Sequence, residues 1–219
     1  MKDTVKRGAP RVSRADQAAA TRRRVVDAAG RLFTQYGYAA TTLQQIADEA
    51  GVAVQTVYFH FGNKRTVLKQ VADIASVGDD QPVALLDRPW VEQLRAASGG
   101  PETVAVWLRV SREIFGRVAP ILRIVRDAAG SDPEMAAQWE SNQQERHTAH
   151  RMLAETLDGK GALRPGLTVD ETADILFALI SLEVYVLLTV ERGWAPERWE
   201  RWAASTVSDA VLARPGSAR

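Results

Sequence analysis

The sequence predicts an all-α protein with a small N-terminal part and a larger C-terminal part. Apolar residues recur every three to four positions in most segments, and no segment alternates apolar and polar residues as a half-buried strand does. The charge is also divided, because residues 1–76 hold 12 Lys and Arg against 6 Asp and Glu, whereas the remaining residues hold 16 against 21. A basic first part and an acidic second part indicate that only the first part meets a polyanion.

The composition excludes several classes of protein. The chain has no cysteine, so we expect neither a disulfide framework nor a thiolate metal or redox site. The basic start is not preceded by an apolar signal-peptide core, which predicts a cytoplasmic protein. The longest apolar run, residues 175–190, contains Glu183 and is shorter than the roughly 20 residues that a membrane helix needs. We therefore expect a buried helix there and no membrane partner.

Residues 41–64, TTLQQIADEAGVAVQTVYFHFGNK, predict two short helices joined by a tight turn. Thr42 opens a capping box that begins the first helix, and Gly51 ends it because glycine adopts the left-handed conformation at little steric cost. Ala47, Gly51 and Val57 have the small, glycine and β-branched spacing of a helix-turn-helix. In that motif the second helix enters the major groove of DNA.

The second helix of this motif keeps a polar outer face. With Val57 and Phe61 turned inward, the outer face offers amide, hydroxyl and imidazole groups and no carboxylate that would repel phosphate. Asn63 is predicted to cap the next helix, which places Lys64 in a first turn whose backbone N–H groups are free to meet phosphate. We assign phosphate contacts to Thr42, Tyr58 and Lys64, and base-edge contacts to Gln55, Thr56 and His60.

The run VVDAAGRLFTQYGYAATTLQQIADEAGVAVQTVYFHFGNKRTVL, residues 25–68, resembles the TetR/AcrR family of transcriptional regulators. The shared pattern is an amphipathic first helix, an "ATT…IA…AGV" second helix and a recognition segment with Tyr, His-Phe and Lys in the order seen here. Ala53 departs from the pattern, since the family usually has Ser or Thr capping the recognition helix. Losing such a cap costs about 1 kcal/mol.

The resemblance implies a three-helix DNA-binding domain joined by a connector helix to a larger helical domain for ligand binding and dimerisation. On this sequence we predict a flexible basic arm over residues 1–14, the DNA-binding domain with its connector helix over 15–76, and the larger domain over 77–219. The arm is either a tail that reaches DNA or a solvated terminus. The arginines of residues 22–24 either flank the DNA backbone or form a solvated face.

The C-terminal part contains a helix that is apolar almost all round. Thr168 begins it with a second capping box, and one domain core covers only one stripe of such a helix. We therefore expect residues 169–191, with the final helix at 196–212, to form a two-fold homodimer interface. A dimer of this kind places its recognition helices about 34–36 Å apart, so the operator is predicted to be palindromic double-stranded DNA. Pro120 is expected to bend or break its helix.

The resemblance also implies a pocket for an unidentified small molecule in the second part. Such pockets are mostly apolar, with a few polar anchors. The predicted walls are Trp107, Phe115, Trp139 and Phe177, and the predicted anchors are Gln143, His147 and Glu183.

An enzyme is the alternative class of protein. His147 and His150 have the i, i+3 spacing of a metal-binding pair, yet the chain has no Gly-rich phosphate loop, no G-x-S-x-G and no H-E-x-x-H. We therefore predict no enzyme activity, no metal and no cofactor. A DNA-binding protein without a ligand is a further alternative, disfavoured by about 140 additional helical residues rich in Trp and Phe. The predicted function is a repressor that a small molecule releases from its operator, with activation left open.

Overall fold

The computed structural model describes residues 13–78 and 85–214, and it is helical throughout these ranges apart from loops and one isolated bridge between Leu163 and Leu212. The all-α prediction is confirmed. Most of the predicted arm lies outside the described residues. Its end does not, because Ser13 caps the first helix through a capping box with Asp16 and Arg14 is already helical.

The chain forms two compact units, and the division falls inside one helix, between Val71 and Ala72. The domain limits at residues 76 and 77 stay a prediction. The helices are α1 Arg14–Ala40, α2 Leu43–Ala50, α3 Val54–Phe61, α4 Lys64–Val77, α5 Trp90–Ala96, α6 Gly100–Ala129, α7 Pro133–Gly159, α8 Val169–Leu179, α9 Leu182–Val186 and α10 Pro196–Val211, with a 3-10 turn at Leu85–Asp87 and a π turn at Leu187–Glu191.

The first unit packs α1, α2, α3 and the first half of α4 around one core. Gly37 has φ 79° and interrupts α1, because glycine adopts this backbone conformation at little steric cost. Thr42 forms the predicted capping box with Gln45, and Gly51 ends α2 in the left-handed conformation with φ 65°. The fully buried side chains of this core include Val25, Phe33, Ile46, Val57, Val67 and Leu68.

Pro120 does not break its helix, because α6 continues from Gly100 to Ala129. A proline inside a helix removes one backbone hydrogen bond and costs roughly 3 kcal/mol. Here the helix is buried on both sides of the proline, at Val118 and Ala119 before it and at Ile121 and Val125 after it. The apolar burial of both halves against the same core outweighs the local cost.

The apolar segment predicted as one helix is interrupted at Ile180, where φ is −100° and ψ is 55°. Ser181 Oγ then accepts a hydrogen bond from the Val184 amide at 3.1 Å, so the serine caps a new helix, α9. By length and composition Val169–Glu191 would suffice to cross a membrane, which corrects the expectation that it is too short. Core helices of soluble proteins meet the same test, and this segment buries Leu176 and Leu182 inside the second unit.

The second unit is built on α6 and α7, with α8, α9 and α10 against them. Arg112 of α6 donates to Glu200 at 2.6 Å and to Glu197 at 3.0 Å, and these ion pairs join α6 to α10. The largest fully buried side chains of this core are Leu94, Leu108, Leu153, Leu157, Leu176, Ile180, Leu182 and Trp199.

Candidate nucleic-acid interface and ligand cavity

The recognition helix α3 has the predicted inner face. Val57 and Phe61 are buried, and Ala53 caps the helix without a side-chain hydrogen bond. On the outer face Gln55 and Tyr58 are exposed, whereas Thr56 and His60 are half-buried. The roles of these four residues in reading DNA stay predictions.

The same face carries an exposed aromatic residue that the sequence analysis did not single out. Phe59 is 85% exposed, and its described ring contact is with His60 at 5.2 Å. Phe59 follows Gln55 by four residues, so the two share one side of the helix. An apolar ring there suits contact with a thymine methyl group, beside an amide that suits adenine. The i, i+4 spacing from Gln55 was the signal in the sequence.

Thr42 has its donors engaged within the capping box. Its amide and its hydroxyl both donate to Gln45 Oε1, at 2.8 and 3.0 Å, and its Oγ1 accepts from the Gln45 amide at 3.2 Å. The hydroxyl is exposed at the start of α2, so a phosphate oxygen would have to replace Gln45 as its acceptor. The phosphate contact of Thr42 stays a prediction.

Lys64 has a structural task besides its predicted phosphate contact. Its ammonium donates to the carbonyls of Tyr38 and Thr41 at 2.7 and 2.8 Å and lies 4.3 Å from the centre of the Tyr38 ring. The Asn63 cap is confirmed, since Asn63 Oδ1 accepts from the Thr66 amide at 2.9 Å. Lys64 therefore connects the start of α4 to the end of α1 and to Thr41, which follows α1.

Arg22 is held within the first unit. Its guanidinium lies 5.3 Å from the centre of the Phe61 ring and donates to Gln70 Oε1 at 3.0 Å. Arg22 is exposed, so these contacts leave both interpretations of the arginine run as predictions.

The second unit encloses a cavity of about 600 Å³. It lies between the last half of α4, α5, α6 and α7, and its size is within the range of small-molecule sites. Four of the predicted ligand residues line it, namely Trp107, Phe115, Trp139 and Gln143. His147, Phe177 and Glu183 do not.

The three remaining predicted residues lie behind the cavity wall. Arg146 lines the cavity, and its guanidinium stacks 4.1 Å from the centre of the Phe177 ring and donates to Glu183 at 3.4 Å. His147 Nε2 lies 3.0 Å from Asp174 Oδ1 and contacts Phe177 edge to face. Phe177 and Glu183 therefore contact Arg146 and do not themselves line the cavity.

Buried polar atoms without a hydrogen-bond partner in the described part of the chain gather around this cavity. Leaving such an atom unpaired costs about 1–3 kcal/mol. The lining residues that carry one are Trp90 (Nε1), Trp107 (Nε1), Asn142 (Nδ2), Arg146 (Nε) and His150 (Nδ1). Sequence reasoning missed Trp90, Asn142 and Arg146, although residues 142, 146 and 150 have the four-residue spacing of one helix face.

His150 is uncharged at neutral pH. Burial, and to a lesser degree the nearby charges of Arg146 and His147, lowers the pKa of its imidazole to about 3. His150 faces the cavity while the His147 ring meets Asp174, so the two rings do not share a site. Among the described residues no group of three or more His, Cys, Asp or Glu side chains is placed to hold a metal ion.

A helix-turn-helix unit with a carboxylate-free recognition helix, followed by a helical unit with a cavity, defines a class of DNA-binding regulators. Residues 25–71 match the profile described as bacterial regulatory proteins of the tetR family. The HTH-type transcriptional repressor AcnR of Corynebacterium efficiens is 25% identical over 162 residues, which cover 73% of this chain and 77% of AcnR.

Two further comparisons agree with this class. The HTH-type transcriptional regulator TtgR of Pseudomonas putida is 40% identical over 58 residues, which cover 26% of this chain and 28% of TtgR. A solved structure of a SmeT–triclosan complex has the same fold, with a TM-score of 0.69 and 21% identity over 90% of this chain and 96% of that one. Residues 25–71 therefore resemble the DNA-binding part of the TetR/AcrR family, and the protein is a DNA-binding transcriptional regulator and not an enzyme.

Proposed function

We propose that this protein is a repressor that binds a palindromic operator as a two-fold dimer and leaves it when a small molecule fills the cavity. One observation carries the proposal. The last half of α4 lines the cavity through Ala72, Asp73, Ser76 and Val77, and the same helix begins at Lys64, immediately after the recognition helix. A ligand that contacts the end of α4 therefore acts on the helix that carries the DNA-binding unit.

The coupling has a defined limit. A ligand lowers operator affinity only as far as it prefers the conformation that does not bind DNA, and a coupling of about 1–3 kcal/mol gives roughly 5–150-fold release. The related AcnR is named a repressor and the structurally similar SmeT was solved with triclosan, which supports repression and a small organic ligand.

The dimer is proposed to form through the segment Val169–Glu191 and α10. Leu187 and Val190 in this segment are exposed at 47% and 59%, and Val184 and Trp202 are half-buried. Partly exposed apolar side chains on two neighbouring helices suit a four-helix interface between two copies. Two-fold symmetry then favours a palindromic operator with half-sites one helical turn apart.

Within each DNA-binding unit, Tyr58, Lys64 and Thr42 are proposed to contact phosphates, and Gln55, Thr56 and His60 to read bases. We place the boundary of the DNA-binding domain at the end of the connector helix, near residue 76. Binding to chromosomal DNA places the protein in the cytoplasm.

The test begins with a selected operator and a ligand. Operator DNA is selected from random duplexes with the purified protein, and ligands are found by thermal shift, because a molecule that binds only the folded state raises its stability. Fluorescence anisotropy then measures operator affinity with and without ligand. We expect a palindromic site and at least fivefold weaker binding with the ligand present. Unchanged operator affinity at saturating ligand would exclude ligand-released repression.

A further inference from the structure

The cavity lining is chemically one-sided. The unpaired groups of Trp90 and Trp107 are indole N–H groups, which only donate hydrogen bonds, and the unpaired atom of Arg146 is likewise a donor. The lining hydroxyls of Ser76 and Ser111 are already paired, because each donates to a carbonyl one turn back in its own helix, both at 2.9 Å. The buried groups that await a partner are therefore mostly donors.

These donors lie along one connected surface. Asn142, Arg146 and His150 follow one another at four-residue intervals, so they share one face of α7. The Trp107 ring lies 5.8 Å from the His150 ring, and the Trp90 ring lies 5.5 Å from Trp107. Side chains with unpaired donors from α5, α6 and α7 thus all line this cavity.

Arg146 adds a positive charge that is only partly compensated. Its side chain is 16% exposed, whereas its partner Glu183 is 41% exposed and lies 3.4 Å away through Nη1. Burial lowers the pKa of the guanidinium while Glu183 raises it, and an arginine stays charged in either case. Arg146 is the only Lys or Arg among the described lining residues, and its Nε–H is still unpaired.

We propose that the cavity binds an organic acid, with its carboxylate accepting hydrogen bonds from Arg146 Nε, Asn142 Nδ2 and Trp107 Nε1 and its apolar body against Phe115 and Trp139. The proposal rests on the proposed function, since it names the chemistry of the same ligand site. A carboxylate offers about four acceptor positions, pairs with the charge of Arg146 and supplies the acceptors that the buried donors lack.

The acidic lining residues do not favour a cation instead. Of the three lining carboxylates, Asp87 and Glu145 are exposed and therefore screened by solvent and salt, whereas the donors are buried. Asp73 is half-buried and already has an interaction within the chain. An ammonium ligand is attracted by tryptophan faces, but it would leave every buried N–H unpaired and would meet the charge of Arg146. Binding of a cation is the competing outcome of the test.

The test uses the full chain and three probes with one carbon skeleton: 4-phenylbutyrate, 4-phenylbutanamide and 4-phenylbutylamine. Isothermal titration calorimetry at neutral pH measures their affinities. We expect the acid to bind tightest, the amide less tightly, and the amine at least about tenfold more weakly than the acid, since charge-assisted hydrogen bonds are the strongest ones available here. Equal or tighter binding of the amine, or binding of none of the three, overturns the proposal.

Two variants locate the carboxylate. Asn142→Leu and Trp107→Phe each replace a side chain that carries an N–H group by an apolar side chain. Each should weaken binding of the acid by roughly fivefold or more. Trp199→Phe is the matched control, because its indole N–H is also buried and unpaired but Trp199 does not line the cavity, and it should leave the acid affinity within about twofold. Retained affinity in both donor variants, with thermal unfolding like that of the parent, contradicts the assignment.

Operator binding separates this proposal from the proposed function. Tightest binding of the acid without any change in operator affinity supports the organic-acid site and contradicts ligand-released repression. Tightest binding of the amine together with weaker operator binding contradicts the organic-acid site and supports ligand-released repression.

Discussion

The ammonium of Lys64 lies within hydrogen-bonding distance of two backbone carbonyls, so this residue stabilises the fold in addition to its proposed phosphate contact. We expect Lys64→Ala to lower the free energy of unfolding by about 1–3 kcal/mol, since two hydrogen bonds from a charged donor are lost. It should also weaken binding to all DNA sequences and reduce the salt dependence by roughly one counterion. Urea unfolding and salt-dependent anisotropy measure the two effects. An unchanged salt dependence would leave Lys64 with the structural task alone.

Phe59 is 85% exposed, and we expect its ring to contact DNA. Phe59→Ala should weaken binding to the selected operator roughly fivefold, because an apolar contact with a thymine methyl is lost. Replacing the contacted thymine by deoxyuridine removes the same methyl from the DNA side. We expect the parent to lose affinity on that substitution and Phe59→Ala to be insensitive to it. An equal loss for both proteins would refute the contact.

Gln55→Ala is the companion variant on the same face of α3. It should relax the preference for one base pair without changing the response to deoxyuridine, because an amide reads the hydrogen-bonding edge of adenine. Affinities across single-base operator variants measure this. A uniform loss of affinity at every operator variant would instead make Gln55 a phosphate contact.

His150 should make the protein sensitive to acid. Its pKa is about 3 in the folded protein and about 6.5 in an unfolded chain, so the unfolded chain binds more protons between these values. The free energy of unfolding therefore falls as the pH drops below about 6.5, by up to about 1.4 kcal/mol per pH unit from this group. His150→Gln lacks this titration, so its unfolding free energy should fall less steeply between pH 6.5 and 4. Parallel pH profiles for the two proteins would contradict a buried neutral histidine.

At the scale of the helix, the sequence predicts the caps correctly but does not predict where a helix continues or is interrupted. Thr42, Asn63 and Thr168 all cap the helices they were predicted to begin, because a cap depends on a few neighbouring residues. The continuity of α6 through Pro120 and the break at Ile180 depend on what each segment packs against, which local sequence does not record.

The cavity shows the same limit of sequence reasoning. Trp107 and Trp139 were predicted as walls on size and composition, and both line it. Phe177 and Glu183 face the back of Arg146 because α8 and α9 pack behind α7, an arrangement that periodicity within one helix cannot reveal. Gln143 was predicted as an anchor and lines the cavity, whereas Asn142 and Arg146 were missed because they resemble an ordinary solvated face in the sequence.

At the scale of the whole molecule, the proposed dimer can be tested apart from the fold. Val184 is half-buried in the single chain, whereas Val207 is fully buried in its core. Val184→Asp should therefore give a folded protein with a weaker dimer, because the carboxylate would be desolvated only in the interface. Val207→Asp should unfold the second unit whatever the assembly. Sedimentation and circular dichroism distinguish these results, and a fully dimeric Val184→Asp protein would contradict this interface.

Ligand and operator are proposed to weaken each other's binding to the protein. Linkage requires that the operator weaken ligand binding by the same factor by which the ligand weakens operator binding. The direct measurement is calorimetric titration of the ligand into free protein and into protein saturated with operator. We expect the ligand to bind at least fivefold more weakly to the operator-bound protein than to the free protein. This factor should equal the factor by which the ligand weakens operator binding in the anisotropy measurement. The same ligand affinity in both titrations would contradict it and leave a DNA-binding dimer whose cavity has no regulatory role.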